Sequence, residues 1–363
     1  MSDRLDLLTS LSGCPITTTQ EWEQFRRPEL MMLLEDFLFG GRPCKKAESL
    51  TFSVKRQGEN WLGSDADFTE VQIRVNDIPF DLYLYTPHKA KKPAPCFAVV
   101  MYEQLTKEMD LENTLDCDIL PIARVVERGY AVAVMPTYPV APDWVHKLSY
   151  QKGVFQALQP DLSQRTDRSW GTISGWAFGI SCVMDYLLTD PRIDGNNVAV
   201  AGHSRAGKTA LWAGATDQRF KLVISNSSGC GGAAYTRGKK GEHPIDINIS
   251  DWFCGNYHRY NDREDMMPFD QHMLLAAIAP RALYVKSDAL DEWADPDAEL
   301  KSARLASAAY GLYGLKGLVA EETIRLMQPY HEGMIAYHRA VGDHHMDRHD
   351  WELYMDFADK HLK

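Results

Sequence analysis

From Cys96 to Ala340 the chain repeats one texture: short, almost unbroken apolar runs separated by stretches of helical spacing. The runs are CFAVVMY, YAVAVMP, NVAVAGH, KLVISN, ALYVKS and MIAYHRA. Strands apolar along their whole length must bury both faces, as strands do in a parallel sheet covered by helices on each side. Between them lie ILPIARVVERG, GTISGWAFGISCVMDYLL, AGKTALWAGA and DQHMLLAAIA. In the second of these, Ile173, Trp176, Ile180 and Val183 fall on one helical stripe. Strand–helix alternation of this kind implies a doubly wound α/β sheet. Ahead of it, TFSVKR, DFTEVQIRV and FDLYLYTP alternate apolar and polar residues, the pattern of half-buried antiparallel strands. KAKKPAP then reads as an exposed turn. TTTQEWEQFRRPELMMLLEDFLFG reads as a helix with a threonine cap and a glycine stop, and WELYMDFADKHL as the last helix.

At 363 residues the chain fits one large α/β domain with insertions. We therefore expect a single domain over residues 1–363, with a helical extension of about 50 residues packed on it at the N-terminus. A formal net charge of −11 does not suit nucleic acid or an anionic membrane surface as partner. No run approaches the roughly 20 apolar residues of a membrane span. The N-terminus, MSDRLDLLTSLSG, lacks a basic region followed by a long apolar stretch and reads as cytoplasmic rather than as a secretory signal. The seven cysteines include no C-x-x-C pair. Cys96 and Cys182 sit in apolar runs and read as buried thiols, while Cys230 and Cys254 flank one loop and leave a pairing open.

The chemistry is concentrated in NVAVAGHSRAGKTALWAGA, where a strand runs into Gly202-His203-Ser204-Arg205-Ala206-Gly207 and a helix follows. This is the context of a nucleophile elbow, G-x-S-x-G, with alanine in the last place. The turn is tight, so the residues two before and two after the serine must be small, as Gly202 and Ala206 are. The helix beyond it offers backbone N–H groups to a developing oxyanion. An antiparallel meander feeding a parallel sheet with this elbow predicts the α/β-hydrolase fold, a three-layer sandwich. Ser204 is then the nucleophile. A serine hydroxyl needs a general base, and in this fold the acid and the histidine follow the serine in the chain. After ALYVKS, the loop SDALDEWADPDAE offers Asp288, Asp291, Asp295 and Asp297. Asp288 follows the strand too closely, and Asp291 is favoured. The loop AVGDHHMDRHDW holds His344, His345 and His349. His344 comes first after the turn at Gly342 and is favoured over His345. No H-E-x-x-H or comparable spacing supports a metal site, and no cofactor motif is present.

GHSRAGKTALWAGA resembles the G-C/H-S-R-x-G-K-x-A motif of the glucuronoyl esterases, carbohydrate esterase family 15, particularly bacterial members. WEQFRRPELMMLLEDFLFG, WGTISGWAFGISCVMDYLLTDPRID, VISNSSGCGGAA, WFCGNY, PFDQHMLLAAIAPRALYV, DEWADP and DWELYMDFADKHL look like further blocks of that family, from about residue 20 to the C-terminus. The resemblance implies a serine esterase cleaving esters between 4-O-methyl-glucuronoyl units of xylan and lignin-type alcohols. It places Ser204 and His344 on the family's nucleophile and base, and Arg205 on an arginine that stabilises the oxyanion. It also implies that Lys208 and Glu242 bond sugar hydroxyls and that Trp293 stacks on the sugar ring. Its usual location is outside the cell, in conflict with the N-terminus as written. Two features depart from the pattern. Asn226-Ser227-Ser228-Gly229 has Ser227 where many members carry the catalytic glutamate, which directs the acid to Asp291. The loop EQLTKEMD after CFAVVMY carries no glycine-rich oxyanion segment, and it borders the site. The alternatives are a broader carboxylesterase for acetyl or aromatic esters, or a non-catalytic carbohydrate-binding relative.

Overall fold

The computed structural model describes residues 5–42, 48–143, 148–248 and 250–363. Cys44 and the first four residues of the N-terminal stretch lie outside these ranges. A nine-stranded sheet runs through the chain in the order β1-β2-β3-β5-β4-β6-β7-β8-β9. Its strands are β1 (Leu50–Gly58), β2 (Ala66–Val75), β3 (Ile78–Pro87), β4 (Ala94–Met101), β5 (Ala131–Pro136), β6 (Ile193–His203), β7 (Phe220–Asn226), β8 (Ala282–Asp288) and β9 (Ile335–Ala340). β1 to β3 form the expected antiparallel meander, and β3 joins β5 antiparallel. Every later pairing is parallel. β4 and β5 are buried at every residue, as their unbroken apolar composition requires.

Each face of the sheet carries its own core. One face packs Val198 and Val200 of β6 under the helices Thr172–Leu187, Arg205–Thr216 and Pro296–Leu312. The other packs Ala199 and Ala201 under Ile122–Glu127 and Arg348–His361. The N-terminal helical run starts at a capping box between Thr18 and Glu21 and stops at Gly40, whose φ is 78°. Within it, Trp22–Arg26 and Glu35–Phe39 widen to i→i+5 turns. Leu30, Leu34, Leu38 and Phe39 join the first core.

Three expectations change. EQLTKEMD is not an irregular loop: Glu103–Met109 is a short helix, in which Glu103 and Lys107 pair one turn apart. Pro296–Leu312 is a helix where acidic loop residues were expected to run on, with Asp295 as its cap and proline at its start. His349 lies in the first turn of the helix Arg348–His361, not in the preceding loop. Cys230 and Cys254 are both free thiols.

At the carboxyl edge of the sheet, the face toward Arg348–His361 turns from apolar to polar. His203, Asn226, Lys286, Asp288 and His338 come from four neighbouring strands, and all are buried. Lys286 Nζ bonds Asp288 Oδ1 at 2.6 Å and the His345 carbonyl at 2.7 Å, with Asp350 Oδ2 at 3.3 Å. Asp350 also takes His338 Nε2 at 2.8 Å. That bond needs the proton on His338 Nε2, so Nδ1 accepts from the Tyr284 hydroxyl, and Tyr284 in turn accepts from His331 Nε2. Burial pushes His338 down, which keeps it neutral in this chain of bonds. Burial would raise the Asp350 carboxyl, but the His338 N–H and the Lys286 charge hold it at about 2. On the opposite side, Glu299 is fully buried and accepts the Gly229 N–H at 3.0 Å and the Ser287 hydroxyl at 2.6 Å.

Removing one member of a buried charge group strands the others, at a cost of roughly 3–5 kcal/mol. Lys286→Met should lower stability by about that amount, and an unchanged urea midpoint would contradict it. Burial raises the Glu299 carboxyl from 4.5 to about 7. The folded state then favours the protonated acid, so this contribution is complete below pH 4.5 and is lost as pH rises through about 7. Urea titrations across that window should show stability falling with pH, and Glu299→Gln should remove that part of the slope.

Candidate active site

β6 ends at His203, and the helix Arg205–Thr216 begins immediately after Ser204. Ser204 has φ 57° and ψ −127°, a strained conformation for a residue with a side chain. The turn closes this sharply because Gly202 has no side chain: a Cβ there would lie 2.2 Å from the Ala206 carbonyl oxygen. Ser204 N–H donates to the Asn226 carbonyl, and Lys208 N–H closes the first helical turn on Ser204. The hydroxyl is left at the carboxyl edge of the sheet, with the free N–H groups of the helix start beside it.

Ser204 Oγ lies 2.8 Å from His344 Nε2, and His344 Nδ1 lies 2.7 Å from Asp291 Oδ2. Of the four candidate aspartates, Asp291 is the one that meets His344. Asp288 is occupied by Lys286, Ser227 and the His345 N–H. Asp295 caps its helix, and Asp297 pairs with Arg339. His345 turns to the Asp343 carbonyl and to Asp288. The acid and base loops are tied together by two backbone bonds, Ala289 N–H to Ala340 and Leu290 N–H to Gly342. Burial would raise the Asp291 carboxyl, but the His344 imidazole and the Ala294 N–H hold it below the usual carboxylate range. It is therefore an anion able to fix the imidazole tautomer and stabilise an imidazolium.

Ser227 has φ 44° and its hydroxyl donates to Asp288 at 2.8 Å, so this residue supplies a structural hydrogen bond. Arg205 follows Ser204 at the start of the helix. Its guanidinium lies over the Tyr102 ring at 4.2 Å, bonds Gln104 at 2.5 Å and faces Asp143 at 2.8 Å. Lys208 is buried, not on a solvated helix face: its ammonium bonds the Cys230 carbonyl at 2.6 Å and Glu242 at 2.9 Å. Glu242 N–H bonds the Trp293 carbonyl, and the Trp293 side chain stands 53% exposed. The fold thus brings Lys208, Glu242 and Trp293 together, one helical turn from Ser204.

Sequence reasoning missed His203, Asn226, Gln104, Asp143 and Trp252. His203 Nδ1 bonds Asn226 Oδ1 at 2.7 Å, and its ring packs 4.6 Å from that of His344. Burial, with the adjacent His344, pushes His203 down to about 3, so a neutral ring lies against the base. A signal was present for both: polar residues ending otherwise apolar buried strands must find partners. Gln104 and Asp143 lie far apart in sequence and carried no such signal.

Residues 69–314 match the family model described as "Glucuronyl esterase, fungi". A carbohydrate esterase from an unknown prokaryotic organism is 36% identical over 394 aligned residues, covering 98% of this chain and 89% of the relative. A 4-O-methyl-glucuronoyl methylesterase of Phanerochaete chrysosporium is 30% identical over 233 residues, covering 53% of this chain and 49% of its own. The solved glucuronoyl esterase of Solibacter usitatus superposes with a TM-score of 0.90 at 34% identity, covering 98% of this chain and 97% of that one. The nine-stranded sheet and its flanking helices are the α/β-hydrolase fold that these solved esterases share. With its serine elbow on that fold and its likeness running along nearly its whole length, the chain belongs to the glucuronoyl esterase family of carbohydrate esterases.

Proposed function

We propose that this carboxylic ester hydrolase cleaves esters between 4-O-methyl-glucuronoyl units and lignin-type alcohols, with Ser204, His344 and Asp291 as its catalytic residues. The observation that carries the reading is the unbroken line of 2.8 Å and 2.7 Å contacts from Ser204 through His344 to Asp291. His344 Nδ1 donates to Asp291, which leaves Nε2 as the acceptor for the Ser204 proton. Ser204 Oγ attacks the ester carbonyl as His344 takes that proton. The oxyanion is met by the Arg205 guanidinium and the N–H groups of the helix start. His344 then protonates the departing alcohol. In the second half, His344 takes a proton from water as that water attacks the acyl carbon; the bond to Ser204 Oγ then breaks, His344 returns the proton to Ser204, and glucuronate leaves.

The sugar is assigned to Lys208, Glu242 and Trp293. Lys208 spends two donors on Cys230 and Glu242 and keeps a third for a sugar hydroxyl. Both Lys208 and the Cys230 N–H bond Glu242 Oε2, so Oε1 remains for a second hydroxyl. Trp293 offers an exposed ring face for stacking. The partner is then a carbohydrate or lignin–carbohydrate ester rather than a nucleic acid or a membrane. Among the described residues no helix is long and apolar enough to cross a membrane. The same reading takes residues 1–363 as one domain, supported by the N-terminal run sharing a core with the elbow helix.

Ser204→Ala should lower kcat by about a millionfold, as loss of the nucleophile does in other triads. Asp291→Asn should lower it by about ten-thousandfold while the fold is kept. Near-wild-type turnover in either variant would overturn the corresponding role. Substrate class is tested by kcat/KM for benzyl or methyl glucuronate against p-nitrophenyl acetate. Preference for glucuronate is expected, and preference for acetate would favour a broad carboxylesterase. Labelling by a serine-directed fluorophosphonate separates both from a protein that only binds carbohydrate.

A further inference from the structure

Both cations beside the nucleophile arrive already paired. Lys208 carries Glu242. Arg205 carries Asp143, a residue with no place in the triad or the sugar contacts, at 2.8 Å between Arg205 Nε and Asp143 Oδ2. This is not a loose surface pair. The two side chains are only 19% and 17% accessible. Asp143 Oδ1 is held by the Trp252 indole N–H at 2.7 Å, so each carboxylate oxygen has its own partner. The Trp252 ring stands 5.7 Å from the guanidinium carbon, and Tyr102 covers that carbon at 4.2 Å. Gln104 takes Nη2 at 2.5 Å. Nη2 is hydrogen-bonded, Nε meets Asp143 as an ion pair outside hydrogen-bond geometry, and Nη1 has no protein partner among the described residues. Arg205 is held by four groups that fix its orientation and leave one amino group to the site.

Pairing has a chemical consequence that depends on the substrate class proposed above. The ester is neutral when it enters, whereas the glucuronate that leaves is an anion formed beside Arg205. A bare guanidinium would grip that carboxylate by a charge-assisted, potentially bidentate bond that the neutral ester cannot make. The enzyme would then be held by its own product. We propose that Asp143 is a positioning residue that orients Arg205 and offsets its charge, so that the guanidinium donates a hydrogen bond to the transition state without retaining the glucuronate product. Gln104 supports the orientation with a neutral acceptor and leaves the charge alone. The helix Glu103–Met109, which stands where a glycine-rich oxyanion loop was missing from the sequence, takes part in the site through this contact.

The test is product inhibition. Asp143→Asn keeps the shape and one acceptor, for the Trp252 indole N–H, but removes the charge. With benzyl glucuronate as substrate, competitive inhibition by free glucuronate should tighten about tenfold, because a half-buried cation loses its counter-charge. KM for the neutral ester should stay within about twofold, since that ester has no charge to respond. A role confined to stability would leave the ratio of these two constants unchanged. An inhibition constant within about twofold of wild type overturns the proposal. The double variant Asp143→Asn/Arg205→Met closes the cycle. It should bind glucuronate no more tightly than Arg205→Met alone. If the asparagine still tightens glucuronate without the guanidinium, the effect does not run through Arg205 and the proposal fails. The substrate reading fails separately, if the wild-type protein cleaves p-nitrophenyl acetate but not benzyl glucuronate. Acetate then replaces glucuronate as the competing anion, and the same shift decides the role of Asp143.

Discussion

The ammonium of Lys286 sits in the interior with no exposed surface, and the carboxyl edge of the sheet is arranged around it. An unpaired charge at that depth is not tolerated. Its charge therefore dictates its surroundings: it donates to Asp288 of its own strand and to the carbonyl of His345, and it pairs with Asp350 from the last helix. Asp288 returns to the same residue by accepting the His345 N–H. Both backbone groups of the residue after the base are thereby fastened to β8. Asp350 is also the third residue of its helix and completes the capping box with Asp347, so one buried cation anchors a strand, a loop and a helix start.

This arrangement explains how three distant segments reach a common geometry. β8 ends at Asp288, three residues before Asp291, and its side chains grip the loop of His344. Backbone bonds from Ala289 and Leu290 to Ala340 and Gly342 continue that union beyond the sheet. Ser204 follows directly on β6, and its neighbour His203 is tied through Asn226, whose amide also bonds Tyr354, to the last helix. Precision at the site is thus inherited from rigid elements and from satisfied polar groups beneath it.

Much of this was legible in the chain. The elbow was readable because its demands are local: a glycine two residues before the serine, a small residue two after it, a strand before and a helix behind. Continuous apolar runs gave β4 to β9, because burial on both faces leaves no room for alternation. Asp291 and His344 followed from chain order. What could not be read was tertiary. Pro296–Leu312 escaped because its apolar stripe is made largely of alanine, which marks no strong period. The helix at Glu103–Met109 escaped because position suggested a loop. Gln104, Asp143 and Trp252 converge on Arg205 from segments separated by dozens of residues, and no spacing rule joins them. Lys286 was visible as a lysine in an apolar strand, but its partners were not.

His344 is 40% accessible in this arrangement, and Trp293 is 53% exposed. If His344 is the base proposed here, its direct contact with solvent means that no gate is needed to admit the water that ends the cycle.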